Sequence, residues 1–237
     1  MVAEYAAVEG VWDITEQYTM RYSKGHRDET AARILDHASV RIREQGLESI
    51  TVATLMKMAG LTHGGFYLHF ESRDDLIDQA FAKAMESSVE VWRRISDRAD
   101  GGQCLASIVE FYLAERHRLD VGNGCALPAL TAEVPRSTPA IRSAFVAGIE
   151  EMIGILTGQM CGSKQEERRD AIATLSVMVG ALVLARATGH TPHRSNEILN
   201  AGRHAALQKE RSRPSAANRT RRRRNSASRG RKSELPA

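Results

Sequence analysis

Apolar residues along this chain recur three or four apart, the period of an amphipathic helix, from residue 31 to residue 207. Ala31, Ile34, Leu35, Ala38 and Ile42 predict a first helix that stops at Gly46 and packs its apolar face beneath the next two helices. Val52, Leu55, Met56 and Ala59 make a second apolar face, with Thr51 as its opening cap. Gly60 then stands where the chain must leave the helix through a left-handed conformation, which a residue without a β-carbon adopts cheaply. Leu61 drops into the core, and Thr62 offers the side-chain oxygen that a new helix start requires. Phe66 and Phe70, four apart, face inward.

From Arg73 the pattern resumes through Leu76, Ile77, Ala80, Phe81, Ala84, Val89 and Val91 and ends near Gly101-Gly102, a long connecting helix. Further helices are predicted at 103 to 119, 126 to 133, 137 to 160, 165 to 188 and 195 to 209. They are separated by Gly122 to Gly124, Pro135, Gly162-Ser163 and Pro192. Leu175, Met178, Val179, Leu182, Val183 and Ala187 form a stripe that nearly encircles its helix, because Val177, Ala181, Leu184 and Ala185 also lack polarity. A helix apolar all round must be buried. Gly180 and the alanines permit a second helix to come close, with Ile198, Leu199, Ala201, Ala205 and Leu207 as a matching face. A core within one chain and an interface between two chains both account for this stripe.

Two short helices hinged at Ala59-Gly60-Leu61 are the arrangement of a DNA-reading helix-turn-helix. The amides at the start of the second helix point at any nearby anion, for which a DNA phosphate is a natural candidate. His63, Gly64, Gly65, Tyr67 and His69 fall on or near its exposed side. Taken singly, Tyr67 reads equally well as a half-buried aromatic and His69 as a hydrogen-bonded surface histidine.

Thr51, Leu55, Ala59-Gly60-Leu61-Thr62, Gly64, Tyr67, His69-Phe70, Arg73 and Leu76 together resemble the signature of the tetracycline-repressor (TetR) family. The resemblance implies an all-α fold. An amino-terminal three-helix helix-turn-helix domain, with helices near 27 to 45, 51 to 58 and 62 to 68, is followed by a helical ligand-binding and dimerisation domain. It implies that Thr51, Thr62, Tyr67, His69 and Arg73 hold phosphates, that His63, Gly65 and Leu68 face base edges, and that Gly64 fills a position with no room for a side chain. Gly65 departs from the pattern, since a side chain able to reach a base is usual there, so readout leans on His63, Leu68 and DNA shape. Met56 departs too, where Ala is usual, and alters core packing. The resemblance further implies a homodimer joined through its last two body helices, with Leu175, Met178, Val179, Gly180, Leu182, Val183, Ile198, Leu199 and Ala205 as interface candidates. It also implies an effector pocket among the middle helices, for which Ile108, Phe111, Tyr112, Cys125, Leu127, Leu130, Phe145 and Met152 are candidates; each of these equally suits plain core.

Length and composition agree with a small reader attached to a larger helical body: 237 residues and only 6 prolines. The expected division is an arm at 1–25, the helix-turn-helix domain at 26–72, the effector and dimerisation domain at 73–210 and a basic tail at 211–237. Residues 1 to 19 hold Glu4, Glu9, Asp13 and Glu16 but no Lys or Arg, and translation is expected to start at Met20. The tail carries a net charge of +9 while the whole chain carries +4, which leaves the rest at −5. Such a segment cannot bury enough apolar surface to fold, so disorder is expected of it, and non-specific DNA affinity and a solubilising or dispensable extension account for it equally well.

No export signal is evident, and the apolar run Leu175 to Ala185 falls short of the roughly 20 residues needed to span a membrane, so a cytoplasmic protein without membrane contact is expected. Cys104, Cys125 and Cys161 lack CxxC spacing, as in a reducing compartment. Cys125 would serve as a reactive sensor only if a cation or helix start lowered its pKa. There is no GxSxG, HExxH or phosphate-binding loop, and His190 and His193 flank a proline turn, so no enzyme activity, cofactor or metal site is expected. The chain is thus read as a transcriptional regulator, most simply a homodimeric repressor that binds a palindromic operator and is released by a small molecule. The rival reading is a helical-bundle interaction protein with only non-specific DNA affinity from its tail.

Overall fold

A computed structural model describes residues 24–58, 63–99, 103–160 and 162–211. The predicted arm up to residue 23, most of the tail, the hinge Ala59-Gly60-Leu61, Thr62 and Cys161 lie outside the described residues, while Lys24 and Gly25, expected in the arm, open the first helix. Among those described there are nine α-helices, three 3₁₀ helices and no strand. We number the α-helices α1 (Lys24–Gln45), α2 (Val52–Met58), α3 (Arg73–Arg98), α4 (Cys104–Tyr112), α5 (Glu115–Leu119), α6 (Leu127–Leu130), α7 (Pro139–Thr157), α8 (Lys164–Ala187) and α9 (Pro192–Arg211).

The amino-terminal unit forms as its apolar spacing dictates. Ile34, Ala38 and Ile42 of α1 are fully buried, and Gly46 ends the helix with φ +85°, a conformation costly for any residue with a β-carbon. The 3₁₀ turn Leu47–Ser49 leads to α2, whose start is capped by Thr51 Oγ1 accepting from the Thr54 amide at 3.2 Å. Met56, Phe66 and Phe70 close the core from below, and Leu76, Ile77, Ala80 and Phe81 of α3 continue it without a break into the body. Ser72 caps α3 by accepting the Asp75 amide, and the Asp75 carboxylate accepts the Glu71 amide in return.

The body differs from expectation in three places. The helix predicted over 103 to 119 breaks after Tyr112, because side chains take the carbonyls that the break frees: His117 Nδ1 lies 2.6 Å from Tyr112 O, and Arg203 Nη1 donates to Leu113 O at 2.8 Å. Pro192 begins α9 rather than separating it from α8, as suits a residue with no amide hydrogen at a first helical position. Ser195, fully buried, then staples the α8–α9 turn by donating to Ala185 O and Thr188 O.

The third difference concerns α8. It is long and apolar enough by length and composition to cross a membrane, yet Leu175, Met178, Ala181, Leu182 and Ala185 pack into the chain's own core. Its opposite side does not: Ile172, Val183 and Leu184 are exposed. The expectation of burial all round therefore fails for one chain. Gly180, expected at the close helix approach, has no atom within 4 Å of where its β-carbon would be, and the close approach is made by Gly202 of α9 against Ala181.

Candidate nucleic-acid interface

Residues 63–68 form a 3₁₀ helix, where an α-helix was expected. Two adjacent glycines, Gly64 and Gly65, each weaken α-helix by roughly 1 kcal/mol relative to Ala, and the tighter turn is the result. The segment has two unlike faces. Phe66 and Phe70 enter the core with ring centroids 5.6 Å apart, while Tyr67 and Leu68 project outward and are 64% and 52% exposed. Tyr67 stands edge-on to Phe66 at 5.1 Å and 88°, so the buried ring orients the exposed one. An aromatic and a branched aliphatic are thus exposed side by side.

The remaining expected DNA contacts take these positions. Thr51 is exposed beside α2 and its hydroxyl is engaged with Thr54. Gly65 and His69 are half-buried, and His69 lies 6.3 Å from the Phe70 ring. His63 and Gly64 belong to the same 3₁₀ helix, but the placement of the His63 side chain, like Thr62, lies outside the described residues. Arg73 is committed within the domain: its Nε donates to Ile50 O at 2.7 Å and its Nη2 pairs with Glu48 at 2.9 Å. It braces the turn that precedes α2. Arg27 was not among the expected contacts, yet its Nη2 donates to Leu68 O at 2.7 Å and closes the end of segment 63–68 from the first turn of α1. Only the fold joins these two positions, and no local pattern announces the pair.

Of the expected pocket residues, Phe111, Tyr112 and Cys125 come together in a cavity of about 310 Å³ where α1 meets α3, α4 and the segment after α5. Asp36, Ser39, Val40 and Arg43 of α1 wall one side, Ser87, Ser88, Val91 and Trp92 of α3 another, and His117, Asn123 and Gly124 line the rest. Ile108, Leu127, Leu130 and Met152 are buried in the packed core instead, and Phe145 is half-buried against that core; none lines this cavity. Their apolar faces close on one another, which is the ordinary fate of such faces.

Loop 120–126 ties the junction together. Arg43 Nε donates to Gly122 O at 2.5 Å, the Ala126 amide donates to Ser88 Oγ at 3.0 Å, and the Cys125 amide donates to His117 Nε2 at 2.9 Å. Arg186 of α8 reaches the same region through Nη2 to His117 O at 2.9 Å. Burial, opposed by the bond to Tyr112 O, pulls the His117 pKa down to about 4. Burial pushes the Cys125 thiol up, so it stays protonated at neutral pH and lacks the thiolate that a reactive sensor requires.

The interface candidates on the last two helices divide by accessibility. Leu175, Met178, Leu182 and Leu199 are enclosed by the chain's own core, whereas Val179, Gly180 and Ile198 are partly exposed and Val183 and Ala205 are open. Ile172 and Leu184, not among those candidates, share the open side of α8.

Residues 34–80 match the family model described as bacterial regulatory proteins, tetR family. The chain is 26% identical over 95 residues to an uncharacterised HTH-type transcriptional regulator, YfiR, of Bacillus subtilis, which covers 40% of this chain and 44% of that protein. It is 28% identical over 81 residues to the HTH-type transcriptional regulator TtgR of Pseudomonas putida, over 34% of this chain and 38% of the relative. The chain thus spans less than half the length of the curated relatives it matches. Among solved structures, a TetR-family transcriptional regulator from Cytophaga hutchinsonii aligns with a TM-score of 0.66 at 19% identity, covering 79% of this chain and 96% of that one. The reduced form of NemR from E. coli aligns with a TM-score of 0.64 at 18% identity, over 76% and 96% of the two chains.

Proposed function

We propose that this chain, whose residues 34–80 match the model of the tetR family of bacterial regulatory proteins, is a member of that family that represses transcription as a homodimer on a palindromic operator and leaves it when a small effector binds. The observation that carries this reading is the two-faced segment 63–70: Phe66 and Phe70 lock it to the core while Tyr67 and Leu68 are held out to a partner. In this reading Thr51, Thr62, Tyr67 and His69 grip phosphates, and His63, Gly65 and Leu68 face base edges. Arg73 and Arg27 hold the surrounding backbone in position through Ile50 and Leu68.

Two readers are needed to recognise a palindrome, and the open side of α8 supports a twofold partner. Ile172, Val179 and Val183 follow one another there at helical spacing, beside a Gly180 with nothing packed against it. The dimer would set its readers about one DNA turn apart. Effector release follows if the ligand prefers a state in which that separation is wrong, to the extent of its differential affinity for the two states.

Selection of duplexes from a randomised pool tests this function. Enrichment of a palindrome, bound with a stoichiometry of two chains, is expected. Salt-sensitive binding without sequence preference would leave only the non-specific affinity of a basic tail.

A further inference from the structure

The junction cavity has donors that its own walls do not satisfy. Most of its polar groups are spent: Ser39 donates to Asp36 O, Ser88 donates to Ala84 O and accepts from Ala126, and both nitrogens of His117 are engaged. Two groups stand apart. Tyr112 is wholly buried and its hydroxyl has no hydrogen-bond partner. The Cys125 thiol beside it is a weak acceptor and does not replace one.

Arg43, 7% exposed, reaches two carbonyls, Gly122 O at 2.5 Å and Ala84 O at 3.5 Å, and among the described residues no carboxylate pairs with it. The second contact is too long for a strong bond. A buried guanidinium that no carboxylate touches, with Asp120 and Glu44 acting on it only from a distance, and a buried hydroxyl without a strong acceptor both raise the free energy of the fold, and one anionic acceptor group would relieve both. The acid at the cavity wall, Asp36, is already paired with Lys83 at 3.2 Å, so it does not serve that purpose.

Beside Ser87 and Asn123, whose side chains bond to Lys83 O and Asp120, the lining presents flat aromatic rings. Trp92 and Tyr112 meet edge-to-face with centroids 5.6 Å apart, and Phe111 also lines the space. At about 310 Å³ the space lies at the small end of ligand sites, enough for one or two fused rings.

We propose that this cavity binds a small aromatic carboxylate, its ring against Trp92 and Phe111 and its carboxylate accepting from Arg43 and the Tyr112 hydroxyl, and that binding loosens α1 from the body. The coupling follows from the same guanidinium. Arg43 belongs to the DNA-binding unit and holds Gly122 of the body, and a carboxylate, the stronger acceptor, competes with that carbonyl. The ligand half of the inference stands on the cavity alone, and the regulatory half rests on the proposed function.

The test uses the full chain with Trp12→Phe, which leaves Trp92 as its sole tryptophan. Benzoate, cinnamate and 2-naphthoate are titrated against Trp92 fluorescence, with benzamide, cinnamamide and 2-naphthamide as neutral counterparts. Saturable binding of at least one carboxylate, and not of its amide, is expected. Tyr112→Phe, which removes a hydroxyl whose sole neighbour of that kind is the weakly accepting Cys125 thiol, should leave thermal stability nearly unchanged and weaken binding about tenfold or more. Arg43→Met should abolish it.

Equal binding of acid and amide, no saturation at millimolar carboxylate, or unchanged affinity in Tyr112→Phe would overturn the inference. A carboxylate that binds without raising the Kd for the selected duplex would overturn its regulatory half. A chain that selects no duplex would refute the proposed function and leave the fluorescence result standing.

Discussion

His117 Nε2 accepts the amide hydrogen of Cys125 at 2.9 Å, so the ring proton must reside on Nδ1, where it is donated to Tyr112 O at 2.6 Å. A second proton would have to sit on Nε2, facing a donor. The imidazole is therefore held neutral in a site that it helps to build, where the end of α4 meets loop 120–126.

This arrangement predicts a specific acid sensitivity. The folded pKa of about 4 lies below the ordinary 6.5, so the unfolded chain takes up the proton first. The contribution is complete above pH 6.5 and is lost as pH falls towards 4, amounting to about 3 kcal/mol in all. His117→Gln, which can accept from Cys125 and donate to Tyr112 without titrating, should flatten the loss of unfolding free energy between pH 6.5 and 4. Parallel pH profiles for parent and variant would assign the acid loss to other groups.

Glu133 joins the two units at a second point. Its Oε2 accepts from the Leu47 amide at 2.9 Å, just after the left-handed Gly46, and its carboxylate occupies the space that a β-carbon on Gly46 would need. Glu133→Ala should cost about 1 kcal/mol in chemical denaturation, and Glu133→Gln, which keeps an acceptor, should cost less. Gly46→Ala should cost more than Glu133→Ala, since it combines backbone strain with the displaced carboxylate.

The two glycines of the last helix pair should behave oppositely. A β-carbon on Gly202 would fall 2.5 Å from Ala181 Cβ, so Gly202→Ala should destabilise each chain by about 1–3 kcal/mol. Gly180 faces open space, so Gly180→Leu should leave the folded chain intact and instead shift sedimentation from dimer to monomer. A Gly180→Leu protein that sediments as the parent does would remove this face from the interface.

The amino-terminal unit was legible because its signals are local. Ile34, Ala38 and Ile42 on one helix face, Gly46 at its end, the Thr51 cap and the inward pair Phe66 and Phe70 each follow from spacing or backbone chemistry within a few residues. The 3₁₀ form of residues 63–68 is latent in Gly64-Gly65, whose penalty against the α-helix is itself a local signal. What stayed hidden depends on contacts distant in sequence. Arg27 with Leu68, Arg43 with Gly122 and Arg73 with Ile50 are separated by 41, 79 and 23 positions, and no periodicity encodes them. The apolar stripe of α8 likewise announced burial without saying which side the same chain would cover, so Leu182 and Val183, adjacent in sequence, meet opposite fates. The cavity was only partly foreseen, because one of its walls belongs to α1, a helix read solely as support for the readers.

The central claim is that segment 63–70 lies against DNA. It is tested most directly by measuring the affinity of a Tyr67→Ala, His69→Ala double variant for the duplex that the parent selects, with folding verified by circular dichroism and thermal denaturation. Loss of about ten- to a hundredfold in affinity, at unchanged fold, is the predicted result. A folded double variant that occupies the same duplex as tightly as the parent would contradict the account.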